Sequence, residues 1–143
     1  MILKVKTRRK KTDRQKMEAM LDDLYREYIR KRAMKLAGGC QRCHQPQLQY
    51  LDLQTAHCHG SAKRTTRWDV RNSAGLCGGC HRTIDAYIGE KELLFRRILG
   101  DEEYECLYVL ANMNSKQSPV DHKLIELQLR ELLKEVNLER DII

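Results

Sequence analysis

Two Cys-x-x-Cys pairs, Cys40-Gln41-Arg42-Cys43 and Cys77-Gly78-Gly79-Cys80, constrain this chain more than any other feature. Each pair turns two sulfurs toward one point, and two pairs complete a tetrahedral set of four thiolates, the donor set that suits zinc. Gly38 and Gly39 before the first pair, and Gly78 and Gly79 inside the second, are expected to supply the backbone angles of a tight knuckle. The rival reading is a disulfide framework, which belongs to secreted chains. Met1-Ile2-Leu3-Lys4 opens no apolar run with a cleavage site. No stretch approaches the ~20 apolar residues of a membrane span. The expectation is a structural Zn²⁺ held by Cys40, Cys43, Cys77 and Cys80 in a soluble, cytoplasmic protein. Cys58 and Cys106 stand outside the scheme, and Cys106 reads as ordinary helix packing.

A simple zinc ribbon leaves roughly 12–20 residues between its halves, whereas 33 separate Cys43 from Cys77. The metal would clamp the two ends of an insert, and the insert carries the reactive side chains. Leu48–Ala56 reads as a short strand from its alternation at Leu51–Leu53, followed by His57-Cys58-His59-Gly60. On a strand His57 and His59 would share a face. His81 follows the second pair directly, in the first turn of a helix expected to run from 81 to a stop at Gly89. Strand, loop, second strand, knuckle and helix would bring His57, Asn72 and His81 together, a fit for one divalent metal and one general base.

Charge points to the partner. Residues 1–16 hold eight bases, Arg8, Arg9, Lys10 and Lys11 among them, against the single acid Asp13, so the net charge of +7 sits in that arm. Residues 56–84 add Lys63, Arg64, Arg67, Arg71 and Arg82 against Asp69, while residues 101–143 hold ten acids and five bases. A basic arm and middle are the electrostatic footprint of a nucleic-acid binder, since Lys and Arg release counterions from phosphates. Trp68 is expected to fill a small core and Asp69 to bond loop amides.

The flanks read as helices. Thr12 and Gln15 form a capping box ahead of the apolar stripe Met17, Leu21, Leu24, Tyr28, and Gly38 stops the helix. Further helices are expected over Glu90–Leu99 and from an Asp101 cap through Asn112. After a polar linker a last one starts at Ser118-Pro119 and presents Ile125, Leu129, Leu132 and Val136. The domain reading is a basic, flexible arm (1–16), a helix plus zinc-clamped domain (17–112), and a linker with C-terminal helix (113–143). That helix packs on the N-terminal one or pairs two copies into a homodimer.

His57, Asn72 and Cys77-Gly-Gly-Cys80-His81 together resemble the motif of the HNH nucleases. Thr66-Arg67-Trp68-Asp69-Val70-Arg71-Asn72 is similar to the Thr-Arg-aromatic-Asp-x-x-Asn run of phage HNH proteins. The layout over residues 20–105, with the helix at Leu21–Arg32 ahead of the first pair, resembles phage recombination nucleases of the NinG (Rap) type. The resemblance implies an α+β fold, a zinc-stabilised ββα-metal core flanked by N- and C-terminal helices. It implies metal-dependent hydrolysis of DNA phosphodiesters in phage recombination or DNA processing, on branched DNA, in the host cytoplasm. His57 would be the general base, His81 a ligand of a catalytic Mg²⁺, Mn²⁺ or Zn²⁺, and Asn72 the holder of the His57 loop or a further ligand. Lys63, Arg64, Arg67 and Arg71 would grip phosphates. Two positions depart from the pattern: His81 stands where NinG proteins carry Asn, and Ala56 where HNH enzymes carry a metal-binding Asp. His59 is the expected substitute for that ligand. A non-catalytic, zinc-built nucleic-acid-binding protein is the alternative, and an adaptor using the acidic C-terminal helix leaves the arm and histidines unexplained.

Overall fold

A computed structural model describes residue 3 and residues 7–138. Among these residues five helices surround one two-stranded sheet: α1 (Asp13–Ala37), β1 (Gln54–His57), β2 (Ser73–Leu76), α2 (Gly78–Ala86), α3 (Ile88–Leu99), α4 (Asp101–Ala111) and α5 (Pro119–Leu138). The class is mixed α+β. Single 3₁₀ turns at Tyr50–Asp52 and Val70–Asn72 lead into the strands.

α1 is the spine. Thr12 accepts from the Gln15 backbone N–H while the Gln15 side chain accepts from the Thr12 N–H, closing the expected capping box. At the other end Gly38 takes a left-handed conformation, φ 65°, and its N–H bonds the Met34 carbonyl. Arg14 and Lys16 are thus helical rather than part of the arm, while Arg8, Arg9, Lys10 and Lys11 lie exposed outside regular structure. The buried stripe of α1 is Glu18, Leu21, Tyr25, Ile29 and Ala33; Met17, Leu24 and Tyr28 flank it.

β1 and β2 pair antiparallel, with Gln54 opposite Leu76 and His57 opposite Ser73. The strand starts later than the alternation suggested, because Tyr50–Asp52 close a tight turn in which the Asp52 carboxylate accepts from the Gln49 N–H. α1 crosses the sheet closely at Gly75, where a Cβ would come within 2.5 Å of the Ala33 methyl. The first knuckle is tied to the same residue. Gly75 donates to Gln41 Oε1 at 2.9 Å, and Gln41 donates its own N–H to the Gly75 carbonyl at 3.0 Å.

Two apolar clusters form. One unites Leu53, Ala56, Cys58, Ala74, Leu76, Ile84, Leu94, Phe95 and Leu107 beneath the sheet and α2–α4. The other joins Leu21, Tyr25, Ile29 and Trp68 to Leu129 of α5. α5 therefore packs on α1 within one chain. Its buried seam is His122, Glu126, Leu129, Leu133 and Val136, with Ile125 and Leu132 at the margin. This four-three spacing admits two polar residues that an apolar stripe passes over.

Several boundaries differ from expectation. The helix after the second cysteine pair ends at Ala86, and Gly89 lies in the first turn of α3 rather than stopping α2. Gly100, at φ 82°, makes the α3–α4 corner, which places Asp101 inside α4 instead of at its cap. Cys106 is exposed, because Leu107 takes the inward position on α4. Among the described residues no helix is long and apolar enough to cross a membrane.

Candidate functional site

The four predicted cysteines converge. Cys40, Cys43, Cys77 and Cys80 place their sulfurs within 4.8 Å of one another, and Cys43 Sγ lies 3.8 Å from Cys77 Sγ. Four sulfurs at ~2.3 Å from a tetrahedral ion are about 3.8 Å apart, so the set could hold a metal ion such as zinc. Among the described residues no other group of three or more ligating side chains comes together.

The sequence builds this site by ordinary local means. In the first knuckle the positive φ falls on His44, at 61°, while Gly39 is required for space, since a Cβ there would sit 2.1 Å from the Gln45 carbonyl oxygen. In the second knuckle Gly78 and Gly79 take ordinary helical angles as the first residues of α2, against the expectation of special ones. Cys40 is buried, which opposes ionisation, but backbone N–H groups of Cys43, Cys77 and Arg42 bring its thiol down to about 7. Arg42, inside the first pair, donates to Cys80 Sγ at 3.4 Å and to Glu90 at 3.2 Å. It fixes the knuckle to α3 and gives the sulfur cluster a counter-charge.

His57 ends β1. Its ring stacks on Tyr25 of α1, centroids 5.8 Å apart at 27°. It is half-buried, and its nitrogens carry no hydrogen bond within the described residues while remaining open to solvent. Burial lowers its pKa below the ordinary imidazole value, and the charges of Arg26, His81 and Lys91 push it the same way against Asp22. His57 thus carries ring nitrogens without a hydrogen bond among the described residues and a pKa lowered chiefly by burial.

The loop that follows is stapled by Asn72, which is fully buried. Its Oδ1 accepts from the His59 N–H at 2.9 Å, and its Nδ2 donates to the His59 carbonyl at 2.9 Å. The Cys58 N–H donates to the Asn72 carbonyl at 2.7 Å. The strand has ended by then, so His59 does not share the face of His57. It turns toward α4, its ring edge-on to Tyr108 at 6.0 Å, with Nε2 buried and unpartnered.

His81 lies in the first turn of α2. Its Nδ1 is 2.8 Å from Gln54 Oε1 on β1, and its Nε2 is 3.3 Å from an oxygen of Asp85 one turn on. Lys91 Nζ, from α3, stands 3.6 Å from the other Asp85 oxygen. Ala56 is fully buried beneath the strand and offers no ligand.

The four basic residues of the insert are engaged inside the chain. Arg67 sets a two-pronged fork on Asp22, at 3.2 and 2.8 Å, and Trp68 Nε1 donates to the same carboxylate at 2.8 Å. Arg64 pairs with Glu18. Arg71 bonds both oxygens of Asp69 and reaches Glu103 at 2.9 Å, and Lys63 reaches Asn112 at 3.4 Å. These arginines dock the insert onto α1 and α4. Trp68 fills the α1–α5 core as expected, and Asp69 accepts from the Arg71 N–H.

Sequence reading passed over the α1 side chains that hold the site from behind. The Tyr25 hydroxyl donates to the Asp69 carbonyl and accepts from Ser73 Oγ, both at 2.7 Å. Arg32 donates to the Val70 and Ser73 carbonyls, also at 2.7 Å. Both sit on the insert-facing side of a helix whose partner lies more than 35 residues away, so local pattern carries no signal for them. Compared with protein-family models, curated proteins and solved structures, the chain finds no match.

Proposed function

We propose that this protein is a metal-dependent DNA endonuclease of the HNH type, with a structural zinc at the four cysteines. The observation that carries the reading is His57: an imidazole without a hydrogen bond among the described residues, at the end of β1 just before the loop that Asn72 staples, its pKa lowered by burial and by the charge of Arg26. A phosphodiester brought there meets cations for its oxygens and a base for the attacking water.

His57 accepts the proton of that water. Burial lowers its pKa below the ordinary imidazole value, the direction that favours the unprotonated form a general base needs. Tyr25 holds the ring by stacking, pairing with β2 holds its backbone, and Asn72 fixes the loop that follows it. A divalent cation held at His81 supplies charge neutralisation at the phosphate when bound. The exposed Arg8, Arg9, Lys10 and Lys11 serve as the sequence-independent grip on the DNA backbone. The Lys63, Arg64, Arg67 and Arg71 side chains contribute by seating the insert. A role in phage recombination or DNA processing, and branched DNA as substrate, rest on the sequence resemblance.

The second reading, a zinc-built binding protein without catalysis, is favoured by one feature: Ala56 stands buried where a metal-binding carboxylate is expected. Purified protein incubated with supercoiled plasmid and with a four-way junction, in Mg²⁺, Mn²⁺ or EDTA, separates the two. The nuclease reading expects cutting in a divalent metal and none in EDTA, with the junction preferred over the plasmid if recombination is its setting. Tight binding without cleavage in either metal overturns it and leaves the binding module.

A further inference from the structure

We propose that Asp85 is the carboxylate ligand of a divalent-cation site shared with His81, with Lys91 as the ammonium that occupies its edge when the cation is away. The role of such a site in catalysis rests on the nuclease reading; its existence does not.

α2 sets the geometry. His81 and Asp85 are four residues apart on one helix, so their side chains lie over one another, and Nε2 and Oδ2 are 3.3 Å apart. Adjacent ligands of an octahedral ion at ~2.1 Å lie about 3.0 Å apart, a difference that rotation of one carboxylate covers. β1 supplies the second half of the arrangement. Gln54 Oε1, 2.8 Å from His81 Nδ1, can only accept, so a proton belongs on Nδ1, and Nε2 is the nitrogen turned to Asp85. Gly78 keeps Gln54 seated: a Cβ there would stand 3.3 Å from Gln54 Nε2. An imidazole whose one N–H is held by an amide oxygen has its ring orientation fixed and its other nitrogen available, the outer support that metal-ligating histidines have.

Openness and charge fit the same conclusion. The Asp85 side chain is 57% exposed, which leaves coordination positions to water and to phosphate oxygens, as Mg²⁺ and Mn²⁺ sites require. Lys91 Nζ, 3.6 Å from Asp85 Oδ1, marks the spot as one that attracts positive charge. It also predicts competition, because an ammonium and a divalent ion cannot share that edge without repulsion. His59 points to Tyr108 and Ala56 is buried, so Asp85 is the group placed to supply the carboxylate.

The test is Mn²⁺ binding by the full chain with its cysteine site loaded with Zn²⁺, followed by the electron paramagnetic resonance signal of free Mn²⁺. The expected result is one Mn²⁺ site that Asp85→Asn and His81→Gln each weaken on the order of tenfold or more, and that Gln54→Ala weakens roughly 10–100-fold. Lys91→Met, which removes the competitor, should tighten binding, a gain that no folding defect produces. Zinc content, measured on the same samples, should stay at one per chain. Absence of Mn²⁺ uptake by the wild type, or affinity indifferent to Asp85→Asn and Lys91→Met, overturns the proposal and leaves a plain helix ion pair. Mn²⁺ bound at Asp85 without cleavage of any DNA supports this site while removing the nuclease. Cleavage whose Mn²⁺ requirement ignores Asp85→Asn does the reverse.

Discussion

Asn72 shows how much one buried side chain can hold. Both ends of its amide are used on the His59 backbone, so Asn72→Ala would strand a buried N–H and C=O together. A loss of about 1–3 kcal/mol in stability is expected, read by urea unfolding, with the loop after β1 gaining fast hydrogen exchange while α5 keeps its protection. Asp22 acts on the same insert through charge. Burial opposes its ionisation, but Arg67 and Trp68 outweigh burial and hold its pKa below the ordinary 3.8. A carboxylate depressed in the folded state stabilises above its ordinary value and loses that contribution as pH falls through the folded one. The emission of Trp68, the single tryptophan, should therefore hold down to about pH 4 and shift below it. Asp22→Asn should show the shifted emission at neutral pH. Histidines, cysteines and Asn72 were legible as residues because their chemistry is uncommon in a small chain. The engagement of Arg67 was not, since its partner lies 45 residues upstream on α1.

At the scale of elements, helix ends were legible where capping chemistry is local, as at Thr12 and Gly38. The sheet was legible only in outline: β1 begins at Gln54 because a turn at Tyr50–Asp52 consumes the residues whose alternation suggested strand. The seam of α5 shifted from the apolar stripe because His122 meets the edge of Trp68 at 5.4 Å, while Glu126 is held by Lys123 and Arg130. Apolar periodicity cannot register those partners. The close crossing of α1 over β2 was equally hidden, as it depends on two small residues 42 positions apart in sequence, Ala33 and Gly75. Gly75→Ala should push the spine off the sheet and cost about 1–3 kcal/mol, seen as a lowered urea midpoint. Ala33→Gly in the same chain should recover part of the loss.

At the scale of the whole molecule, the four cysteines join the two ends of the insert, while α1 and α5 pack on each other around Trp68 in a second apolar cluster. Metal removal should therefore act unequally. Chelation, or Cys77→Ser, is expected to loosen β1, β2 and α2 while α1 and α5 keep much of their helical signal, a split that hydrogen exchange mapped along the chain would reveal. Uniform loss across both clusters would mean that they fold as one. The clamp matters for function because it sets the distance between His57, reached through the insert, and His81, one residue beyond the second pair. The measurement that bears most directly on the nuclease reading is single-turnover DNA cleavage by wild type and His57→Ala, with zinc content and DNA affinity determined on the same preparations. The account predicts a fall in rate of roughly 10²–10⁴-fold with zinc and affinity unchanged. Equal cleavage by the two proteins would remove His57 as the base, and no cleavage by the wild type would contradict the enzyme.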